Sequence, residues 1–400
     1  MKKLFFKKSF RLYICIFMHI ILLSVLVCDD LRIVCASTSE TTINEQLNER
    51  VLQLLSELDL QALQAYMDSL NGFTKGSVAE RLLAYIRGDV FEYQTFWNAI
   101  FDVMFQEVKN VMPAFATIAA ISLLSGLLSM LKSGTMSTSS SEMIILITYL
   151  ASLIPLLSII TECLQSAYAC IDDMYTQMQI IYPLLLTLLA ASGAVVSASV
   201  CRPTVAFFTN TIVSVVRNIV FPLTITIIAF SIAGNLTKEL KISKFSAFFK
   251  SMNKWLIGIC VSVFGLFFTL QGITAATHDG IVRRAMKYAI GNGVPIVGGF
   301  LSGGFDLAVA GSILIKNALG SMSIFLMVAV LFEPLILLIS VSVMLRFTAA
   351  ITQPFGESRV SDFLEETAGN IQYATAGLLF TAFMYFLSIL LIVYASEALI

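Results

Sequence analysis

Charged side chains set inside or beside long apolar runs have the most capacity for chemistry in this chain. They are Arg217, Asp306, Lys316, Glu333 and Arg346. A charge at bilayer depth costs on the order of 3 kcal/mol on insertion scales, so such groups face a polar cavity, face one another, or snorkel to the headgroups. Arg217 and Glu333 both stand mid-run and are placed to pair. Lys316 and Asn317 follow a glycine-rich stretch and offer a polar face for a path through the membrane. For each charge the alternative is a structural role, holding helices together. Arg346, near the end of its run, fits a headgroup anchor.

Enzyme chemistry has little material. There are two histidines, His19 in the N-terminal apolar stretch and His278 in a loop, too few for a histidine-based catalytic pair or metal cluster. The seven cysteines, Cys15, Cys28, Cys35, Cys163, Cys170, Cys201 and Cys260, contain no Cys-x-x-Cys pair, so neither a zinc site nor a disulfide framework is suggested. The glycine-rich stretch near 291 lacks the Lys-Ser/Thr ending of a phosphate loop and a strand before it. The chain therefore reads as no enzyme, with no cofactor implied. A net charge of −1 supplies no basic field that would gather nucleic acid.

The elements that must position these charges are membrane helices. Of the 400 residues, 58% are hydrophobic and only 13% charged, against about 25% charged in a soluble domain. The apolar residues come in blocks, and about 20 such residues cross a bilayer roughly 30 Å thick. The expected fold is all-α: a polytopic helical membrane protein with a small N-terminal extracytoplasmic helical domain and at least one broken or re-entrant helix. Residues 1–36 read as a signal peptide, with Lys2, Lys3, Lys7, Lys8 and Arg11 before an apolar run and a small-residue cleavage site at Val34-Cys35-Ala36. An uncleaved anchor is the alternative. Residues 37–108 read as short amphipathic helices. Asp59 is placed to cap one, and Ser77 to Glu80 has capping-box spacing for another. The aromatic-rich stretch 91–108 suits either the lipid–water interface or the core of a small bundle.

Residues 109–400 form the membrane domain, with six to eight segments at about 111–131, 143–164, 180–200, 205–233, 255–275, 290–315, 319–350 and 371–396. Gly291, Gly293, Pro295, Gly298 and Gly299 predict a broken or re-entrant helix, a geometry tolerated only where protein or a wet cavity surrounds it. Pro183 and Pro222 map onto Pro295 and Pro334 at one offset, which raises an internal repeat of 180–275 and 290–396. Five lysines between 238 and 254 place that loop in the cytoplasm. Four full crossings after an outside N-terminal domain would put it outside, so one of the four does not cross, and 180–200 is the candidate.

The run Lys287-Tyr288-Ala289-Ile290-Gly291-Asn292-Gly293-Val294-Pro295-Ile296-Val297-Gly298-Gly299, then Ile313-Leu314-Ile315-Lys316-Asn317-Ala318-Leu319-Gly320, and Gln353-Pro354-Phe355-Gly356-Glu357, resembles the stage III sporulation protein AE family of endospore-forming bacteria. The resemblance covers essentially the whole chain. It implies a multi-pass subunit of a secretion-like channel or feeding-tube complex in the mother-cell membrane around the forespore. The partners implied are other membrane subunits, ring-forming subunits, a secretion-type ATPase and a forespore membrane partner. A self-contained small-molecule permease, with a midplane site at the broken helix, is the alternative reading of the residues.

Overall fold

The structure is a computed structural model that describes residues 41–69, 77–87, 93–131, 138–236, 243–274, 298–354 and 358–395. The stretch read as a signal peptide, and Gly291, Gly293 and Pro295 of the expected break, lie outside the described residues. Among the described residues every element is a helix.

Three short helices come first, α1 (Thr41–Glu57), α2 (Gln61–Ser69) and α3 (Val78–Arg87). Local polar groups fix their starts. Asp59 Oδ1 accepts from the Gln61 backbone N–H at 3.2 Å. Ser77 and Glu80 close a reciprocal capping box, Glu80 N–H to Ser77 Oγ at 3.1 Å and Ser77 N–H to Glu80 Oε2 at 3.0 Å. Their apolar faces, with Val51, Leu55, Leu63, Met67, Val78 and Leu82, are buried in the same core as the long helices.

The long helices are α4 (Tyr93–Leu131), α5 (Thr138–Ala191), α6 (Val195–Val215), α7 (Phe221–Leu236), α8 (Ser243–Thr274), α9 (Gly298–Thr352) and α10 (Ser358–Tyr394). A π turn over Val216–Val220 joins α6 to α7. Pro222 follows it, and a proline ring that clashes with the carbonyl four residues back is relieved by such a widened turn. Counting α6 and α7 as one unit, six helical units among the described residues are long and apolar enough to cross a membrane. The protein is thus an all-α, multi-pass membrane protein.

Three expectations change. The segments 143–164 and 180–200 are not separate. α5 runs through both for 54 residues, because the polar stretch between them contains no helix breaker. It ends at Gly193, which has φ +89° and donates to the Ala190 carbonyl, while Ala194 donates to that of Leu189. This is a Schellman turn, and glycine takes its left-handed position without strain. Residues 180–191 are therefore the end of a helix and not a re-entrant segment. Likewise 290–315 and 319–350 merge, since α9 runs for 55 residues from Gly298 and Gly299 in its first turn, with no break after them. Finally, α4 crosses position 108 without interruption, so the aromatic stretch and the first apolar span are one helix. Three helical units, α4, α5 and α6–α7, then separate the N-terminal helices from the lysine-rich segment, and the orientation conflict disappears.

α9 and α10 pack along each other at the centre, with α4 and α5 against α9, α7 and α8 against α10, and α1 and α3 against α9. The close approach of α9 and α10 needs Gly320, where a Cβ would overlap Val393 Cγ2. Gly369 in α10 has open space around the same position. Gly320→Val is expected to cost about 1–3 kcal/mol through overpacking, read as a lower melting temperature of the detergent-solubilised protein. Gly369→Ala, which improves helix propensity without a clash, is expected to leave the melting temperature unchanged or raise it.

Candidate functional site

In a bundle this apolar, the polar side chains with fixed partners mark where chemistry or coupling can occur. Lys316 is fully buried. Its Nζ donates to the Val393 carbonyl, one of the last carbonyls of α10, which no intrahelical N–H can reach. The cation there satisfies an orphan acceptor and complements the negative end of the α10 dipole. Lys316 and Gly320, one turn apart on α9, both act on Val393, so the polar face expected at Lys316 and Asn317 is a helix junction. Asn317 is buried beside it.

Arg217 lies on the π turn and does not pair with Glu333. Its Nη1 meets Asp172 Oδ1 of α5 at 2.8 Å, its Nε donates to the Tyr168 hydroxyl, and its guanidinium lies 4.8 Å from the Tyr168 ring centroid. The pair is more than a third exposed on each side, which limits its contribution to stability. Glu333 is exposed and lies within electrostatic reach of Glu107 on α4. Asp306 is half-buried near the start of α9, and Arg346 is exposed near its end. The five candidate charges therefore do not converge on one site. Among the described residues no group of His, Cys, Asp and Glu is placed to hold a metal.

Two polar junctions escaped the sequence reading. Lys250 of α8 meets Glu366 Oε1 of α10 at 2.6 Å, and Asn235 of α7 donates to the other carboxylate oxygen at 3.2 Å. Lys250 falls in the lysine-rich stretch expected to be a loop, yet helices begin at Ser243 and Ser358. The second is Gln177, fully buried in α5, whose Nε2 donates to the Tyr66 hydroxyl of α2 at 2.8 Å and to the Leu326 carbonyl of α9 at 3.4 Å. Burial pushes the Tyr66 phenol up to about 12, so this junction keeps its proton across the physiological range. Near it, Cys170 Sγ donates to the Val330 carbonyl at 3.5 Å. That carbonyl loses its helical donor to Pro334, four residues on.

The sequence profile of the family described as Stage III sporulation protein AE matches residues 78–396. The stage III sporulation protein AE of Bacillus subtilis (strain 168) is 27% identical over 355 residues, covering 88% of this chain and 89% of that protein. No solved structure matches the chain.

Tyr66→Phe leaves the buried Gln177 amide with one fewer partner and is expected to cost about 1–3 kcal/mol. The readout is faster proteolytic release of the α1–α3 segment from the detergent-solubilised protein, whereas Tyr175→Phe, at an exposed hydrogen bond to Asn210, should leave that rate unchanged. For Lys250→Met and Glu366→Gln, each single change should destabilise by more than half as much as the double change, because each leaves one desolvated partner behind. Thermal unfolding of the three variants measures this.

Proposed function

Because the chain belongs to the stage III sporulation protein AE family, we propose that its role in sporulation is as a membrane subunit of a secretion-like channel or feeding-tube complex linking mother cell and forespore. The observation that carries this reading is the family match across nearly the whole membrane domain. The contacts above support a subunit that works by packing and partner binding: among the described residues, buried polar groups such as Lys316 and Gln177 join helix to helix. The partners proposed are other membrane subunits, ring-forming subunits, a secretion-type ATPase and a forespore membrane partner.

The proposed place is the mother-cell membrane surrounding the forespore, after export directed by residues 1–36. The N-terminal helices lie outside the cytoplasm in this reading. Support comes from parity: three helical units separate α1–α3 from the segment carrying Lys238, Lys241 and Lys244, and lysines favour the cytoplasmic face. A permease needs a chamber for its substrate. One small cavity among the described residues, lined by Thr204, Val205, Phe264, Phe268, Ser388 and Leu391, has about 20 Å³, room for about one water molecule and too little for such a chamber.

Deletion of the gene in its native spore former is expected to arrest the engulfed forespore and abolish heat-resistant spores. Normal spores would contradict the proposal. Restoration with Glu333→Gln is expected to recover sporulation, since Glu333 joins no helices. Lys316→Met, which removes the cap on α10, should lower protein level and spore yield together on an immunoblot and a spore count. Saturable uptake of a small solute by liposomes holding this chain alone would favour the permease.

A further inference from the structure

We infer that the bilayer surrounds only one end of the bundle, the end where α7 and α9 finish and α10 begins, and that the rest projects from the membrane as a helical scaffold bearing α1–α3. This placement is independent of the proposed channel role.

Contacts first fix a common depth on four helices. Glu162 of α5 and Glu333 of α9 both lie within electrostatic reach of Glu107 of α4. Arg217 meets Tyr168 and Asp172 of α5, and Cys170 of α5 reaches Val330 of α9. On α5 this level spans 162 to 172, about 15 Å at 1.5 Å per residue.

Exposed charged and amide side chains of the four helices cluster on one side of that level, where Phe101 and Phe105 of α4 and Val195, Val200 and Phe207 of α6 are exposed as well. On α5 the exposed residues are Ile147, Leu150, Ile154 and Leu157 on one side, then Glu162, Gln165, Asp173, Thr176 and Gln179 on the other. On α4 Asp102, Gln106 and Lys109 give way to Met112, Ala116 and Leu124. On α6–α7 Asn210, Thr211, Ser214 and Asn218 give way to Ile219, Ile225 and Ala229, and on α9 Glu333 gives way to Ile339, Val343 and Phe347. Charge-free sequence on the apolar side runs over 110–131, 143–161 and 218–237, each about 30 Å long as helix. That is the thickness of the hydrocarbon core.

The far limit of the band is marked as well. Tyr149 donates to the Ile232 carbonyl and packs on Phe363, and Ser361 donates to the Ala349 carbonyl, which brings α5, α7, α9 and α10 together. Exposed Lys244, Arg346, Asp362 and Glu365 surround this end, where headgroups accept them.

α8 departs from the pattern. Asn253 reaches Val220 and Thr224 near the top of the band, yet the exposed face beyond it stays apolar at Ile259, Val263 and Leu266. A bilayer around that half of α8 is the rival placement. It would put Asp173, Thr176, Gln179 and Asn210 in or against hydrocarbon and leave the apolar faces of four helices in water. The exposed Asp173, Thr176, Gln179 and Asn210, with the apolar faces of α4, α5, α7 and α9, outweigh the apolar faces of α8 and of α6 from Val195 to Phe207 and decide for the first placement.

Cysteine labelling of the full-length chain in lipid nanodiscs tests this, on a Cys260→Ser background. Ile154→Cys and Val343→Cys should react with a membrane-impermeant maleimide on the order of tenfold or more slower than Thr176→Cys and Asn210→Cys, because the reagent needs a thiolate and a lipid-facing thiol stays protonated. Detergent should remove the difference. Leu266→Cys should react like Thr176→Cys. Fast labelling of Ile154→Cys and Val343→Cys in nanodiscs, or protection of Thr176→Cys and Asn210→Cys until detergent is added, overturns the placement.

Discussion

A 54-residue helix is about 80 Å long at 1.5 Å per residue, and the hydrocarbon core of a bilayer is about 30 Å thick. α5 and α9 both have this excess length, and the rest of the structure answers to it. Whatever lies beyond the membrane must be covered by protein or carry polar residues. Both solutions appear. α1 and α3 seat on α9, where Leu54 Cδ1 stands 3.1 Å from the position a Cβ on Gly311 would take, and α2 seats on α5. The outer face of α5 beyond Glu162 is polar. α10 lies enclosed between α9 and α7, so its apolar residues need no lipid.

Backbone groups inside so apolar a bundle have few alternatives to protein partners. Prolines are the points of failure, and the chain answers one of them with a neighbouring helix: the Val330 carbonyl left by Pro334 is taken by Cys170. The terminal carbonyl of Val393 is taken by Lys316. Lys316, which a sequence reading assigns to a pathway, thus spends a hydrogen bond on a helix end. That pattern suits the subunit role proposed above.

The all-α membrane class was legible because composition and block length leave little else, and the caps at Asp59 and Ser77 were legible because capping depends on residues three apart or fewer. The family was legible in the motif that contains Lys316 and Gly320, and the structure gives those two residues one shared contact, Val393. Helix length was not legible. Windows of about 20 residues cut α5 and α9 in two, since hydropathy falls at Glu162–Gln179 and near Lys316 without any residue that stops a helix. Nor were the pairs: Arg217 with Asp172 and Lys250 with Glu366 join positions 45 or more apart, and their choice depends on packing that a single sequence does not display. The break expected at the glycine-rich stretch falls partly outside the described residues, and from Gly298 onward the chain is helical.

The central claim is that α5 and α9 pass through the membrane and continue well beyond it. Electron cryomicroscopy of the full-length protein in a lipid nanodisc locates the lipid belt directly. The account predicts a belt centred near Ile154 and Val343, with the Gln177–Tyr66 junction outside it on one side. A belt centred on Ile259 to Leu266, enclosing Gln177 and leaving Ile154 in solvent, would contradict it.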